Sequence, residues 1–200
     1  MKAIITIILL SLCIIQIKSD KPSQVIEFAN SKIGCGYVWG ARGQVLTQSL
    51  LQSFKRQHPD HVDESIVKKW LGKQVFDCAG FVHCAFQTVN RCHINLESKK
   101  FIWTNGKINT LPKNKVCILF RQDKVKPSVM AHTGIYVLNG RYIHSGGSKT
   151  GVQPGNMNGS WTHWALPKGL YSGDQPTVET QVYSSYPCQA KVGKPLVQLI

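Results

Sequence analysis

The chain has 200 residues, 42% hydrophobic and 17% charged, which suits one ordinary domain and excludes an intrinsically disordered chain. Its 24 Lys and Arg against 10 Asp and Glu give a net charge of +14, a surface that attracts polyanions such as nucleic acid, anionic membrane or bacterial wall. The bases are scattered (Lys68, Lys69, Lys99, Lys100, Lys113, Lys115) and no nucleic-acid motif accompanies them, so no nucleic-acid partner is expected.

Residues 1–19 have a short positive start, an apolar run too short to span a bilayer comfortably, and small Ser19 at the end. That pattern predicts a signal peptide, hence a secreted, extracellular protein with no stable membrane insertion after cleavage. Cleavage removes Lys2 and Lys18 and no acid, lowering the net charge from +14 to +12. It also removes Cys13 and leaves Cys35, Cys78, Cys84, Cys92, Cys117 and Cys188. The even number allows three disulfides, although a domain of this size does not need them. No Cys-x-x-Cys pair is present and the gaps around Cys84 match no structural zinc pattern, so no metal and no cofactor are expected.

Asp20 and Pro22 open a predicted helix that runs to about Ile33, with Val25, Ile26, Ala29 and Ile33 as its apolar stripe and Gly34 and Gly36 as its stop. A tight aromatic and glycine-rich loop follows, Gly36-Tyr37-Val38-Trp39-Gly40-Ala41-Arg42-Gly43. Residues 44–72 predict a helical pair, one face carrying Leu46, Leu50, Leu51 and Phe54 and the other Val62, Ile66, Val67, Trp70 and Leu71. The next helix starts at Cys78, with Val82, Ala85 and Val89 on the same inward stripe and His83, Gln87 and Asn90 on a narrow polar one facing solvent. After residue 92 the pattern turns β-like: Val116 to Phe120, His132 to Val137, Arg141 to His144 and Trp161 to Leu166 read as strands. Helices first and an antiparallel sheet after is an α+β order.

Cys78 at a helix N-terminus faces unpaired N–H groups and the positive end of the helix dipole, which favour the nucleophilic thiolate. Asp77 is placed to cap the helix, and Gly80 removes bulk near the thiol. A nucleophile needs a base, and the base needs an orienting group; His132 and His144 are the candidates. A two-residue turn at Asn139-Gly140 would set the two histidines on opposite faces. A three-residue loop, Leu138-Asn139-Gly140, would set Gly134 opposite His144 and bring His132 onto the same face as its diagonal neighbour, roughly 7–8 Å away at Cα. The sequence permits both. In the second case His132, Gly134, Tyr136, Tyr142 and His144 share the face expected to lie under the Cys78 helix.

Phe76-Asp77-Cys78-Ala79-Gly80-Phe81-Val82, then His132-Thr133-Gly134-Ile135-Tyr136-Val137, then Tyr142-Ile143-His144, in this order, resembles the NlpC/P60 family of cell-wall cysteine peptidases. Tyr37-Val38-Trp39-Gly40 upstream and Trp161-Thr162-His163-Trp164 with Pro167-Lys168-Gly169-Leu170-Tyr171 downstream fit as well, so the resemblance covers about residues 22–171. It implies a papain-like α+β fold and hydrolysis of peptidoglycan stem peptides between D-γ-glutamyl and a diamino acid. Under it Cys78 is the nucleophile, His132 the general base and His144 its orienting group. Tyr37 and Trp39 match positions near the substrate, and Asp77 one that helps bind the free amine of the peptide. Ala79 departs from the serine usual after the cysteine. The expected organisation is a signal peptide over 1–19, a monomeric catalytic domain over 20–171 with a helical insertion at 44–75, and a C-terminal extension over 172–200. An amidase cutting the sugar–peptide bond, and an inert cationic wall-binding or antimicrobial protein, remain as alternatives.

Overall fold

The computed structural model describes residues 20–90, 105–167, 169–171 and 188. The proposed signal peptide, Cys92, and all of 172–200 except Cys188 lie outside these residues.

Helix α1 (Lys21–Ser31) starts where the Asp20 side chain accepts the Ser23 N–H at 3.0 Å. It ends before Ile33, which is exposed beyond the helix; Val25, Phe28 and Ala29 form the buried stripe instead. Strand β1 (Arg42–Val45) pairs antiparallel with β2 (Gln74–Phe76), and between them lie α2 (Gln48–Gln57), α3 (Glu64–Val67) and a 3-10 turn at Lys68–Trp70. Here the expected helical pair is present, framed by a two-stranded ribbon that no alternation in the sequence announces. Leu46, Leu51, Phe54, Val62, Val67, Trp70 and Val75 bury together with Val38 and Ala41 as a core of their own.

Helix α4 (Cys78–Asn90) follows β2 directly. The main sheet comprises β3 (Gly106–Lys107), β4 (Cys117–Gln122), β5 (Met130–Tyr136), β6 (Arg141–Ser145), β7 (Val152–Asn156) and β8 (His163–Ala165), ordered β3-β8-β4-β5-β6-β7, all antiparallel. This is an α+β fold. Strand β7 contains Pro154 and Gly155, which hide a strand from sequence reading; it lies at the edge of the sheet, where a missing N–H costs least.

The two faces of the sheet are covered differently. Ile118, Phe120, Ile135 and Ile143 pack under α4 and α1 with Phe81, Val82, Ala85 and Phe86. Cys117, Leu119, Tyr136, Tyr142 and Trp161 form a separate cluster on the other face. The histidine face is therefore not the one beneath α4, contrary to the sequence expectation. The better apolar set took the helix, because α4 buries large apolar side chains and the isoleucine face meets them with aliphatic surface, whereas the other face carries two histidines and two tyrosine hydroxyls. Helix α4 is so enclosed that His83, expected to face solvent, is buried. Cys84, inside the helix, forms a disulfide with Cys188, and Gln87 accepts the Cys188 N–H at 2.8 Å; Cys35, Cys78 and Cys117 remain as thiols. No helix among the described residues is long and apolar enough to cross a membrane.

Candidate active site

Asp77 stands between β2 and α4 and ties three segments together. Its Oδ1 accepts the Gly80 N–H at 2.5 Å, capping the helix, and its Oδ2 accepts the Gly40 N–H at 2.9 Å. Its own N–H donates to the Ala41 carbonyl at 2.9 Å. Burial pushes the carboxyl above the usual carboxylate range, although these N–H donors and Arg42 oppose the shift. Gly80 has a different reason from the one the sequence suggested: a Cβ there would run into the Ala41 carbonyl oxygen. The absent side chain makes room for backbone, not for the thiol.

Three backbone N–H groups act on the charge of the Cys78 sulfur, those of Thr133, Ala79 and Cys78 itself. These favour the thiolate, but burial first and the Asp77 carboxylate second outweigh them, and the thiol is pushed up to about 12. The resting group is a neutral thiol, contrary to the expectation from the helix terminus alone. Tyr37 shares this pocket: it is buried, and its hydroxyl is raised by burial and by the neighbouring Cys78 and Asp77.

Thr133 belongs to β5, next to His132. The β5–β6 register pairs Ile135 with Ile143 and Tyr136 with Tyr142, which is the three-residue-loop arrangement. All three loop residues are left-handed (Leu138 φ 73°, Asn139 φ 51°, Gly140 φ 68°), and the loop closes by Arg141 N–H to Leu138 O at 2.9 Å. As a result His132 Nε2 lies 2.7 Å from His144 Nδ1. The pairing of β4 with β5 slips beside His132, where Arg121 opposes His132 and Gln122 opposes Met130, leaving Ala131 as the extra residue of a bulge. Gly134 supplies the space the pair needs, since a Cβ there would meet Trp161 at 2.9 Å and His144 Cβ at 3.0 Å.

Trp161 covers the pair. Its ring stacks on His132 (5.7 Å, 22°) and meets His144 edge-on, and Tyr142 lies edge-on to both His144 and Trp161. Burial, with the other imidazole and Arg121 adding to it, lowers His132 to about 3; burial and Arg121 lower His144 to about 4. Both rings are neutral across the physiological range, so each has one N–H and one lone pair. His144 Nε2 has a further neighbour, the Gln153 amide nitrogen at 3.3 Å.

Trp39 stands on the other side of the Asp77 clasp. Its indole stacks on His61 from the segment 44–75 (4.2 Å, 16°), and His58 lies against Gly40. The structure thus gathers Tyr37, Asp77 and Cys78 at the start of α4, holds His132 against His144 with Thr133 next in the strand, and puts Trp39 on the flank. Sequence reasoning did not find Trp161 as the cover of the histidines, nor Gln153 or Arg121. The strand pattern of the sequence starts at Trp161, whereas β8 begins at His163 and Trp161 turns onto the pair.

The sequence profile of the NlpC/P60 family matches residues 34–167. Among solved structures, the chain is similar to the NlpC/P60 domain of the peptidoglycan hydrolase SagA, at 20% identity over 72% of this chain and 97% of that one, with a TM-score of 0.48. It is also similar to an NlpC/P60 family protein from Bacillus cereus, at 15% identity over 73% of this chain and 40% of that one, with a TM-score of 0.50. NlpC2 from Trichomonas vaginalis is 20% identical over 74% of this chain and 46% of that one, with a TM-score of 0.48. The chain therefore spans nearly all of the SagA domain but less than half the length of the latter two proteins. A search of curated proteins finds no match. The chain belongs to the NlpC/P60 family, whose α+β fold it shares.

Proposed function

We propose that the protein is a secreted cysteine peptidase that hydrolyses peptidoglycan stem peptides at the bond between D-γ-glutamyl and a diamino acid, with Cys78 as nucleophile, His132 as general base and His144 as its orienting group. The observation that carries this reading is the 2.7 Å contact between His132 Nε2 and His144 Nδ1, on a strand whose next N–H, that of Thr133, favours the Cys78 thiolate. With Nε2 engaged by His144, His132 Nδ1 is the nitrogen left for the thiol.

Because thiol and imidazoles are neutral at rest, the thiol proton moves to His132 as sulfur attacks the amide carbonyl, and an ion pair forms only along the reaction. The Cys78 and Ala79 N–H groups at the helix start stabilise the oxyanion. The His132 imidazolium returns its proton to the leaving amine, breaking the C–N bond and leaving a thioester. Water, deprotonated by His132, then attacks the thioester, releasing the carboxylic acid and regenerating the thiol. Tyr37 and Trp39 line the approach of the peptide. The Asp77 carboxylate oxygens already hold two N–H groups and retain lone pairs for a substrate ammonium. Ala79 in place of the usual serine leaves this scheme intact, because the scheme uses its N–H and not its side chain. The Cys84–Cys188 disulfide and the pattern of residues 1–19 support an oxidising, extracellular setting.

Mass analysis of muropeptides released from purified peptidoglycan tests the reading. The expected products carry a new D-glutamyl carboxyl end and a diamino acid with a free amine. Products with a free lactyl group and an N-terminal alanine would mean an amidase, and no products at all would mean an inert wall-binding protein.

A further inference from the structure

Strand β7 brings a third polar group to the histidine pair. Gln153 is the cross-strand partner of His144. Its amide nitrogen lies 3.3 Å from His144 Nε2, and His144 Nδ1 lies 2.7 Å from His132 Nε2. The three side chains form one unbranched line: amide, imidazole, imidazole.

A neutral imidazole holds one N–H and one lone pair, so such a line has only two consistent directions. If the amide donates its N–H to His144 Nε2, His144 carries its proton on Nδ1 and donates it to His132 Nε2. His132 then has its own proton on Nδ1 and has no lone pair there for the thiol. If the amide presents its oxygen, His144 donates from Nε2 and accepts at Nδ1 from His132 Nε2–H, which leaves the His132 Nδ1 lone pair open. Only the second direction makes His132 a base at the nitrogen facing away from His144. An amide fits both, because a half-turn about its last bond exchanges donor for acceptor in nearly the same place.

The surroundings hold the amide in line. A Cβ at Gly146 would meet Gln153 Nε2 at 2.8 Å, Thr150 Oγ1 at 2.8 Å and His144 Nε2 at 3.1 Å, so the backbone of the 146–151 loop closes directly over the contact. That loop is fixed by Gly146 N–H to Gly151 O at 2.8 Å, and by Trp70 Nε1–H to Ser148 O at 2.8 Å from the segment 44–75.

We propose that Gln153 is a positioning residue that acts through His144 to set which nitrogen of His132 carries the proton, and so whether His132 can accept one from Cys78. This rests on the Cys78–His132 chemistry proposed above.

The test uses the full-length protein labelled with 15N-histidine, as wild type, as the near-isosteric Gln153→Met, which can neither donate nor accept strongly, and as Gln153→Glu, whose carboxylate can only accept. Nitrogen chemical shifts at pH 8 read the tautomer of each imidazole, and hydrolysis of peptidoglycan fragments is followed in parallel. Gln153→Glu is expected to hold both His132 and His144 in the Nε2–H form and keep kcat within about threefold of wild type. Gln153→Met is expected to give mixed tautomers and a kcat about tenfold lower or more at unchanged KM, the scale of lost outer-shell partners. Unchanged tautomers in both variants overturn the proposal even if kcat falls, since the loss is then structural; so does a Gln153→Met protein with wild-type kcat. A wild-type protein that hydrolyses nothing sinks the peptidase reading alone, and the tautomer spectra still decide the role of Gln153.

Discussion

Cys78 is held between opposing influences. Three backbone N–H groups favour its thiolate, while burial and the adjacent Asp77 carboxylate favour the thiol, and the second set wins. The same burial keeps His132 and His144 uncharged, with values of about 3 and 4, so the site has no resting ion pair. The consequence is measurable. Since a folded-state value near 12 lies far above working pH, the thiolate fraction should grow about tenfold per pH unit between pH 7 and pH 9. Alkylation of Cys78 by iodoacetamide, located by peptide mass mapping, should climb accordingly without levelling off. A plateau already reached below pH 7 would mean that a thiolate–imidazolium pair exists at rest. At this scale the sequence marks Cys78, His132 and His144, because a cysteine after an N-cap and two histidines on one hairpin are patterns with a mechanism. It is silent on the thiol's charge state, which depends on burial by segments far away in the chain. It is equally silent on Gln153, since Pro154 and Gly155 conceal the strand that delivers it.

Among the elements, the β5–β6 hairpin and the start of α4 decide whether the site exists. Two turns fit the hairpin sequence, and the choice between them lies in tertiary packing. Tyr136 hydroxyl accepts the Gly140 N–H at 3.2 Å, and Met157 N–H donates to the Gly140 carbonyl at 2.7 Å, contacts no local rule reveals. The sheet face taken by α4 was likewise readable only in part. The isoleucine set is recognisable as the better core, but a residue at the end of a helix can reach the edge of the opposite face, so Cys78 need not lie above the histidines. The glycines of these two elements separate steric from conformational demands. Gly80→Ala must displace the backbone carbonyl of Ala41 and should cost about 2 kcal/mol. Gly140→Ala meets open space and suffers only its left-handed φ of 68°, worth about 1 kcal/mol. Denaturant titrations compare the two; a smaller loss at Gly80 than at Gly140 would contradict the clasp between Asp77, Gly80 and Ala41.

Over the whole molecule, helices and sheet in that order were legible from periodicity, and the ordered motifs pointed to the family that the chain belongs to. The separate core under 44–75 was foreshadowed by its two apolar faces; its ribbon of β1 and β2 was not, because three- and four-residue strands leave almost no alternation to read. The disulfide was open in the sequence, since several cysteines could pair. It joins residues 104 apart and fixes Cys188 to the buried middle of α4. Closing a loop of that size removes unfolded-state entropy worth about 5 kcal/mol, so Cys188→Ser should lose stability of that order in guanidinium unfolding. A loss under about 1 kcal/mol would mean the cross-link does not constrain the chain. The central claim, that this molecule is a hydrolase working through Cys78, is tested most directly by clearing of a peptidoglycan suspension by wild type and by Cys78→Ala at matched folded concentration. The account expects clearing by the wild type and none by the variant. Equal clearing by the two proteins would contradict it.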